Sequence, residues 1–288
     1  MDANVGERYV AALGAADVAA LERLRHPEYV VRWPQSGELV RGRARIGALE
    51  RADPGGPPRF AAVRRILGQD DLWTIEAVAL HPDGSRWWWV SILEVHDDLV
   101  TAEAAYVCEP LAAPAWRAGD VQPIDGEAPP SPLPPAAEPS TRTINHLASV
   151  YRTAIQTRDG AALGTVRGPA WTCDWPQSAE RIPDHAADVA IHSAYPGYPH
   201  ETFTRVQAVP EAWAVSPLFT PVRIHGAGPL VVLEGANDYP RDGRWFVAGL
   251  LEVGDDRVRR ETMYFGRPVD PPAWRAQLVE RFDPLVAR

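Results

Sequence analysis

The chain repeats itself. Trp33-Pro34-Gln35-Ser36 returns as Trp175-Pro176-Gln177-Ser178, a shift of 142 residues. At that shift Tyr9 meets Tyr151, Asp17 meets Asp159, and Pro54-Gly55 meets Pro196-Gly197. From Arg65-Ile66 onward the shift is 158, pairing them with Arg223-Ile224. It then joins Glu76 to Glu234, Arg86-Trp87 to Arg244-Trp245, and Leu93-Glu94-Val95 to Leu251-Glu252-Val253. Glu103 meets Glu261, Tyr106 meets Tyr264, and Pro114-Ala115-Trp116-Arg117 meets Pro272-Ala273-Trp274-Arg275. The change of shift means extra residues in the second copy, near Thr204–Pro221. Two copies of about 120 residues are two domains and not a solenoid of short repeats. The expected division is 1–121, a proline-rich linker 122–139, and 140–288. Proline at 123, 129, 130, 132, 134, 135 and 139 predicts an extended, semi-rigid spacer.

Within a copy the periodicity changes from helical to alternating. Val10, Leu13, Val18, Leu21 and Leu24 are spaced for one helix or two short ones. Asp17 and Asp159 are expected helix N-caps. Tyr29–Trp33 reads as a short strand and Arg43–Arg51 as a short helix. Strands then follow at 62–67, 72–80, 87–96 and 100–108, the middle pair joined at Pro82-Asp83-Gly84. Helices followed by an antiparallel meander make an α+β domain. The strand at 86–95 is apolar on both faces, Trp87, Trp89, Leu93 and Val95 against Trp88, Val90 and Ile92. Both faces are therefore expected to be covered, one by the domain's own helices and one by the sister domain, as an intramolecular pseudo-dimer in a monomer.

Composition narrows the function. A net charge of -9 argues against a nucleic-acid partner. All 29 basic residues are Arg, which removes Schiff-base chemistry and any phosphate loop that needs Lys. Cys108 and Cys173 cannot build a disulfide framework or a four-thiolate zinc site. The residues from Met1 to Arg8 do not read as a signal peptide, and no run of about 18 apolar residues is present. The expectation is a cytoplasmic protein with no membrane partner.

Tyr9, Asp17, His26-Pro27, the run from Val30 to Glu38, Arg41-Gly42-Arg43 and the closing strands with Leu93-Glu94-Val95-His96-Asp97-Asp98 resemble the nuclear transport factor 2-like superfamily, in particular its SnoaL-like members. Arg260-Glu261-Thr262-Met263-Tyr264-Phe265 carries the same resemblance in the second copy. It implies two cone-shaped α+β barrels, each a curved antiparallel sheet wrapped by N-terminal helices around an apolar pocket. It also implies a small-molecule ligand or substrate and no cofactor. Relatives include ketosteroid isomerases, polyketide cyclases and epoxide hydrolases, beside non-catalytic binders.

The isomerase pattern is incomplete. Tyr9 and Tyr151 fall on the family's oxyanion Tyr, but Trp33 and Trp175 occupy the position of its base. Ser91 and Gly249 fall near its second donor. Epoxide opening needs an acid for the epoxide oxygen and a base for water, a role open to a carboxylate pair or a carboxylate–Arg–carboxylate set. The expected catalytic residues are Asp174, His192, Tyr151 and Glu261, because copy two replaces Arg32 by Asp174 and gains histidines that titrate near neutrality. Trp175, Gln177, Tyr195, Tyr198, Tyr9, Trp33, Gln35, Arg32 and Glu103 are expected to line the ligand sites. Glu94 and Glu252 are expected in structural ion pairs with Arg. His185 and His192 with Asp184 and Asp188 form no compact two-histidine motif, so no metal site is expected.

Overall fold

The computed structural model describes residues 3–56, 59–81, 83–157, 159–194, 220–239 and 243–286. The chain divides into two compact units. One holds Met1–Pro110, Glu127–Pro130 and Pro268–Pro284. The other holds Leu111–Gly126, Ser131–Arg267 and Leu285–Arg288.

In the first unit the apolar spacing resolves into α1 (Val5–Gly14) and α2 (Val18–Leu24). Asn4 and Glu7 form a capping box at the start of α1, and Asp17 caps α2 through the Ala20 amide. There follow β1 (Arg25–Trp33), β2 (Glu38–Arg41), α3 (Arg43–Ala52), β3 (Arg59–Gln69), β4 (Leu72–Leu80), β5 (Arg86–His96) and β6 (Leu99–Cys108). The β5–β6 turn places Asp97 and Asp98 at positive φ, a conformation that Asp tolerates and that suits a tight hairpin. β1 runs parallel to β6, and β6, β5, β4 and β3 pair antiparallel. The helices cover one face of this sheet, where Tyr9, Leu13, Leu21, Tyr29, Ile75 and Leu93 form the core. Val90 and Ile92, on the other face of β5, are also buried, so both faces of that strand are covered.

The second unit takes its first strand, β7 (Gln122–Pro123), from the segment expected to be linker. It continues with α4 (Thr141–Thr157), α5 (Gly160–Val166), β8 (Arg167–Trp175), β9 (Glu180–Ile182), α6 (His185–Ser193), β10 (Thr220–Ala227), β11 (Leu230–Tyr239), β12 (Gly243–Gly254) and β13 (Arg257–Gly266). Asp159 caps α5 through Ala162. Residues 128–139 form no helix or strand, as their proline content demands. They are held by Arg260 donating to the Ser131 carbonyl and Asp255 accepting from the Ala137 amide.

The last strand, β14 (Glu280–Arg281), belongs to the first unit and pairs with β2. The sheets therefore have matching orders, β14-β2-β1-β6-β5-β4-β3 and β7-β9-β8-β13-β12-β11-β10. Each outermost short strand comes from the copy whose other strands lie in the opposite unit. The expected boundary at 121 follows copy order along the chain, whereas the compact units exchange the two tails.

Candidate acid–base clusters

A buried carboxylate marks the helix-covered face of each sheet. In the second unit it is Glu261 on β13, whose strand runs parallel to β8 with Glu261 beside Cys173. Three donors converge on its Oε1: Tyr151 Oη from α4 at 2.6 Å, Trp171 Nε1 from β8 at 2.8 Å and Arg167 Nε from β8 at 3.0 Å. Among the described residues no donor reaches Oε2. The Arg167 guanidinium stacks on the Trp171 ring, 3.8 Å from its centroid, and reaches Asp188 on α6 through Nη1 at 2.5 Å. The result is a Glu261–Arg167–Asp188 array. Asp188 continues it to His192, one helical turn on, whose Nδ1 lies 3.2 Å from Oδ1.

The electrostatics follow from this order. Burial pushes the Tyr151 phenol well above its usual pKa, and the charge of Glu261 adds to the shift, so Tyr151 remains a hydrogen-bond donor. Burial works to raise the Asp188 carboxyl, but His192 and Arg167 hold it below the usual carboxylate range. Desolvation works against charge on His192, and the hydrogen bond and charge of Asp188 overcome it, leaving the imidazole pKa raised. The ring is 57% exposed, so it can exchange protons with solvent. His185 Nδ1 lies 2.9 Å from Arg167 Nη1. Arg can only donate, so Nδ1 accepts and the ring proton sits on Nε2.

The first unit has the same frame with different endings. Glu103 accepts from Tyr9 and Tyr29 on Oε2 at 2.6 and 2.5 Å, and from Ser91 on Oε1 at 2.5 Å. Trp89 Nε1 donates in turn to Ser91 Oγ. Arg25 donates through Nε to Tyr9 Oη and forks onto both oxygens of Glu50. Both oxygens of Glu103 are thus engaged. At the shifts of 142 and 158, Trp171 stands for Tyr29, His192 for Glu50, and Gly249 for Ser91. A Cβ on Gly249 would meet the Met263 sulfur at 2.9 Å, so Met263 fills the space that Ser91 occupies in the other copy.

The structure joins some expected residues and separates others. Tyr151, Glu261 and His192 belong to one network. Asp174 does not: strand alternation turns it to the face opposite Trp171 and Cys173, where Arg181 forks onto it at 2.6 and 3.0 Å. Arg32, at the matching position, pairs with Glu94, and Glu252 pairs with Arg260. Tyr9 and Glu103 belong to the first-unit network. Gln35 donates to the Val107 carbonyl and accepts from its amide, and Gln177 does the same with Phe265. These amides hold strands together, which corrects the expectation that they face a ligand carbonyl. Trp33 and Trp175 each lie under a guanidinium, that of Arg275 and of Arg117 respectively. Tyr195 and Tyr198 lie outside the described residues. Cys173 and Cys108 are buried thiols, their pKa values raised by desolvation.

The sequence reading overlooked Arg25 and Arg167. Both recur at the 142 shift, each two residues before a proline, and that recurrence was the available signal. Among the described residues no group of three or more His, Cys, Asp or Glu could hold a metal ion, and no helix is long and apolar enough to cross a membrane.

Residues 6–103 match the family model of the SnoaL-like domain. A solved NTF-2 like protein of unknown function from Burkholderia xenovorans LB400 is 33% identical, over 42% of this chain and 92% of its own, with a TM-score of 0.39. A putative ketosteroid isomerase from Kribbella flavida DSM 17836 is 24% identical, over 49% of this chain and 90% of its own, with a TM-score of 0.38. An LEH-like epoxide hydrolase from M. tuberculosis is 20% identical, over 36% and 79%, with a TM-score of 0.31. No curated protein matches the chain. The SnoaL-like match and the 33% identity over nearly the whole length of the Burkholderia protein show that the chain belongs to the NTF2-like superfamily.

Proposed function

We propose that this chain is a cofactor-independent, SnoaL-like enzyme that acts on a small, largely apolar, oxygenated molecule, and that its second unit does the chemistry. The reaction class is acid–base: isomerisation, cyclisation or epoxide opening. The observation that carries this reading is the crowding of three donors on Glu261 Oε1, which fixes the carboxylate and leaves Oε2 as its acceptor. His192 supplies the acid, since its pKa is raised and its ring is exposed. In epoxide opening the His192 imidazolium gives its proton to the epoxide oxygen as the C–O bond breaks. Glu261 Oε2 takes the proton of the water that attacks carbon, and solvent returns it to the imidazole. Arg167 holds Glu261 and Asp188 in place and Tyr151 donates to the base.

The first unit is read as a scaffold, because every oxygen of Glu103 already accepts a hydrogen bond within the fold. The chain is proposed to work in the cytoplasm as a monomer whose two copies do the work of two subunits. The test is turnover of a panel of aliphatic and cyclic epoxides and of unsaturated ketones, followed by mass spectrometry and chromatography. Glu261→Gln is expected to lower turnover by about a hundredfold or more, while Glu103→Gln retains it. Equal loss in both variants, or none in Glu261→Gln, overturns the assignment to the second unit.

A further inference from the structure

Each Trp-Pro-Gln-Ser element receives a segment of chain that begins beyond the last long strand of the other copy. In the second unit the Leu111 amide donates to the Gln177 carbonyl, the Ile124 amide donates to the Ala179 carbonyl, and Gln122 and Pro123 pair with Arg181 and Glu180. Between these points Arg117 lies over the Trp175 ring, 4.2 Å from its centroid, and forks onto Glu180 at 3.1 and 2.5 Å. The Arg117 side chain is 11% exposed and that of Glu180 4%. The first unit repeats every contact. Val269 donates to Gln35, Phe282 to Gly37, Glu280 and Arg281 pair with Leu39 and Glu38, and Arg275 lies over Trp33 and forks onto Glu38.

We infer that the two Pro-Ala-Trp-Arg segments are crossed latches, each recognised by the Trp and Glu of the opposite copy, so that Arg117 of the first copy is a positioning residue for the second unit. Four matched features carry this: a guanidinium–indole stack, a buried ion pair, a two-residue strand addition and a pair of flanking amide bonds. Among the described residues neither Glu38 nor Glu180 receives an Arg from its own copy's tail. The strand that Arg117 braces through Trp175 is β8, which also carries Arg167 and Trp171. The first copy therefore has a role in the second unit without any chemistry of its own. A chain whose halves complete one another in this way keeps both copies in one polypeptide. The inference stands on the fold and does not require that the second unit turn over a substrate.

The experiment is hydrogen exchange with peptide-level mass spectrometry on the full chain. Arg117→Ala strands a buried carboxylate, and amides in 167–182 are expected to exchange on the order of a hundredfold faster, with 25–41 unchanged. Arg275→Ala is expected to do the reverse. A charge exchange guards against simple misfolding. Arg117→Glu is expected to be rescued by Glu180→Arg and not by Glu38→Arg. Faster exchange in 25–41 on loss of Arg117, or rescue by Glu38→Arg, would show each tail latched to its own copy and overturn the proposal.

Discussion

Replacing Arg167 by Met removes the cation between two carboxylates. The Glu261 and Asp188 side chains are 6% and 7% exposed, so neither can recover its lost partner from water. Breaking a buried pair by deleting one member costs about 3–5 kcal/mol, because the remaining charge stays buried. Here two buried carboxylates lose the cation at once, and Asp188 keeps the exposed His192 beside it, which places the expected loss at the upper end of that range. For a chain of this size each kcal/mol moves the melting temperature by roughly 2–4 °C, so the loss is roughly 10–20 °C. Arg25→Met is the control. Arg25 pairs with Glu50 alone, which is 18% exposed, and its other hydrogen bond goes to the neutral Tyr9 phenol. Its loss is expected to be about half as large. The pH dependence sharpens the test. In the wild-type protein Asp188 has a depressed pKa, so its contribution is present above the unfolded value of about 3.9 and is lost as pH falls through the folded one. Without Arg167 the neutral carboxyl forms are favoured, so acid relieves the variant well above the pH at which the wild type loses the Asp188 contribution. The gap in melting temperature measured by scanning fluorimetry is expected to narrow from pH 7.5 to pH 5. A loss below about 3 °C, or a gap that does not change with pH, would refute the view that Arg167 neutralises a buried pair.

Other measurements bear on single residues. His192→Gln is expected to cost stability at pH 6 and little at pH 8.5. A raised imidazole pKa contributes fully below the unfolded value of about 6.5 and is lost as pH rises through the folded one, which urea titrations at both pH values will read. Asp174→Asn is expected to leave any turnover within about threefold of wild type while lowering stability by about 1–3 kcal/mol, because Asp174 is buried against Arg181 and apart from Tyr151. Cys108 and Cys173 are expected to react with an aromatic disulfide reagent only in denaturant, since burial raises both thiols. Gln177→Ala is expected to cost about 1–3 kcal/mol in a urea melt by leaving the Phe265 amide and carbonyl without their side-chain partner.

Much of the fold was readable from spacing because burial imposes a period. The strand at 72–80 has its expected bounds, and Asp17 and Asp159 cap the helices they precede. The exchange of tails was not readable. Pro114–Arg117 and Pro272–Arg275 have the same residues, so either segment satisfies Glu38 or Glu180 equally well on paper, and only connectivity in space decides. The Gln amides misled for a related reason. A side-chain amide offers the donor and acceptor of a peptide group, and sequence does not distinguish a Gln that completes a strand from one that meets a ligand carbonyl. Asp174 misled through parity: one residue along a strand separates the helix-covered face from the opposite one.

The clusters show how a copy diverges without losing its frame. Tyr, Arg and Glu recur as Tyr9, Arg25 and Glu103 and as Tyr151, Arg167 and Glu261. What changes is the group that answers the guanidinium. In the first copy it is Glu50 on α3. At that position the second copy has His192, and the carboxylate has moved to Asp188, which matches Ile46. The move is four residues, one turn along a helix, so the carboxylate stays on the same face and still reaches Arg167. The vacated position then holds a titratable group next to a fixed negative charge. Replacement of Tyr29 by Trp171 and of Ser91 by Gly249 removes two hydroxyl donors and supplies one indole N–H, so the carboxylate keeps its anchor on Oε1. Restoring Ser at 249 alone would not close the network, because Met263 occupies the space. Gly249→Ser together with Met263→Ala, the residue at the matching Ala105, is expected to engage Glu261 Oε2 and lower turnover as strongly as Glu261→Gln. Retained turnover in a double variant that melts like the wild type would mean that Oε2 is not the acceptor.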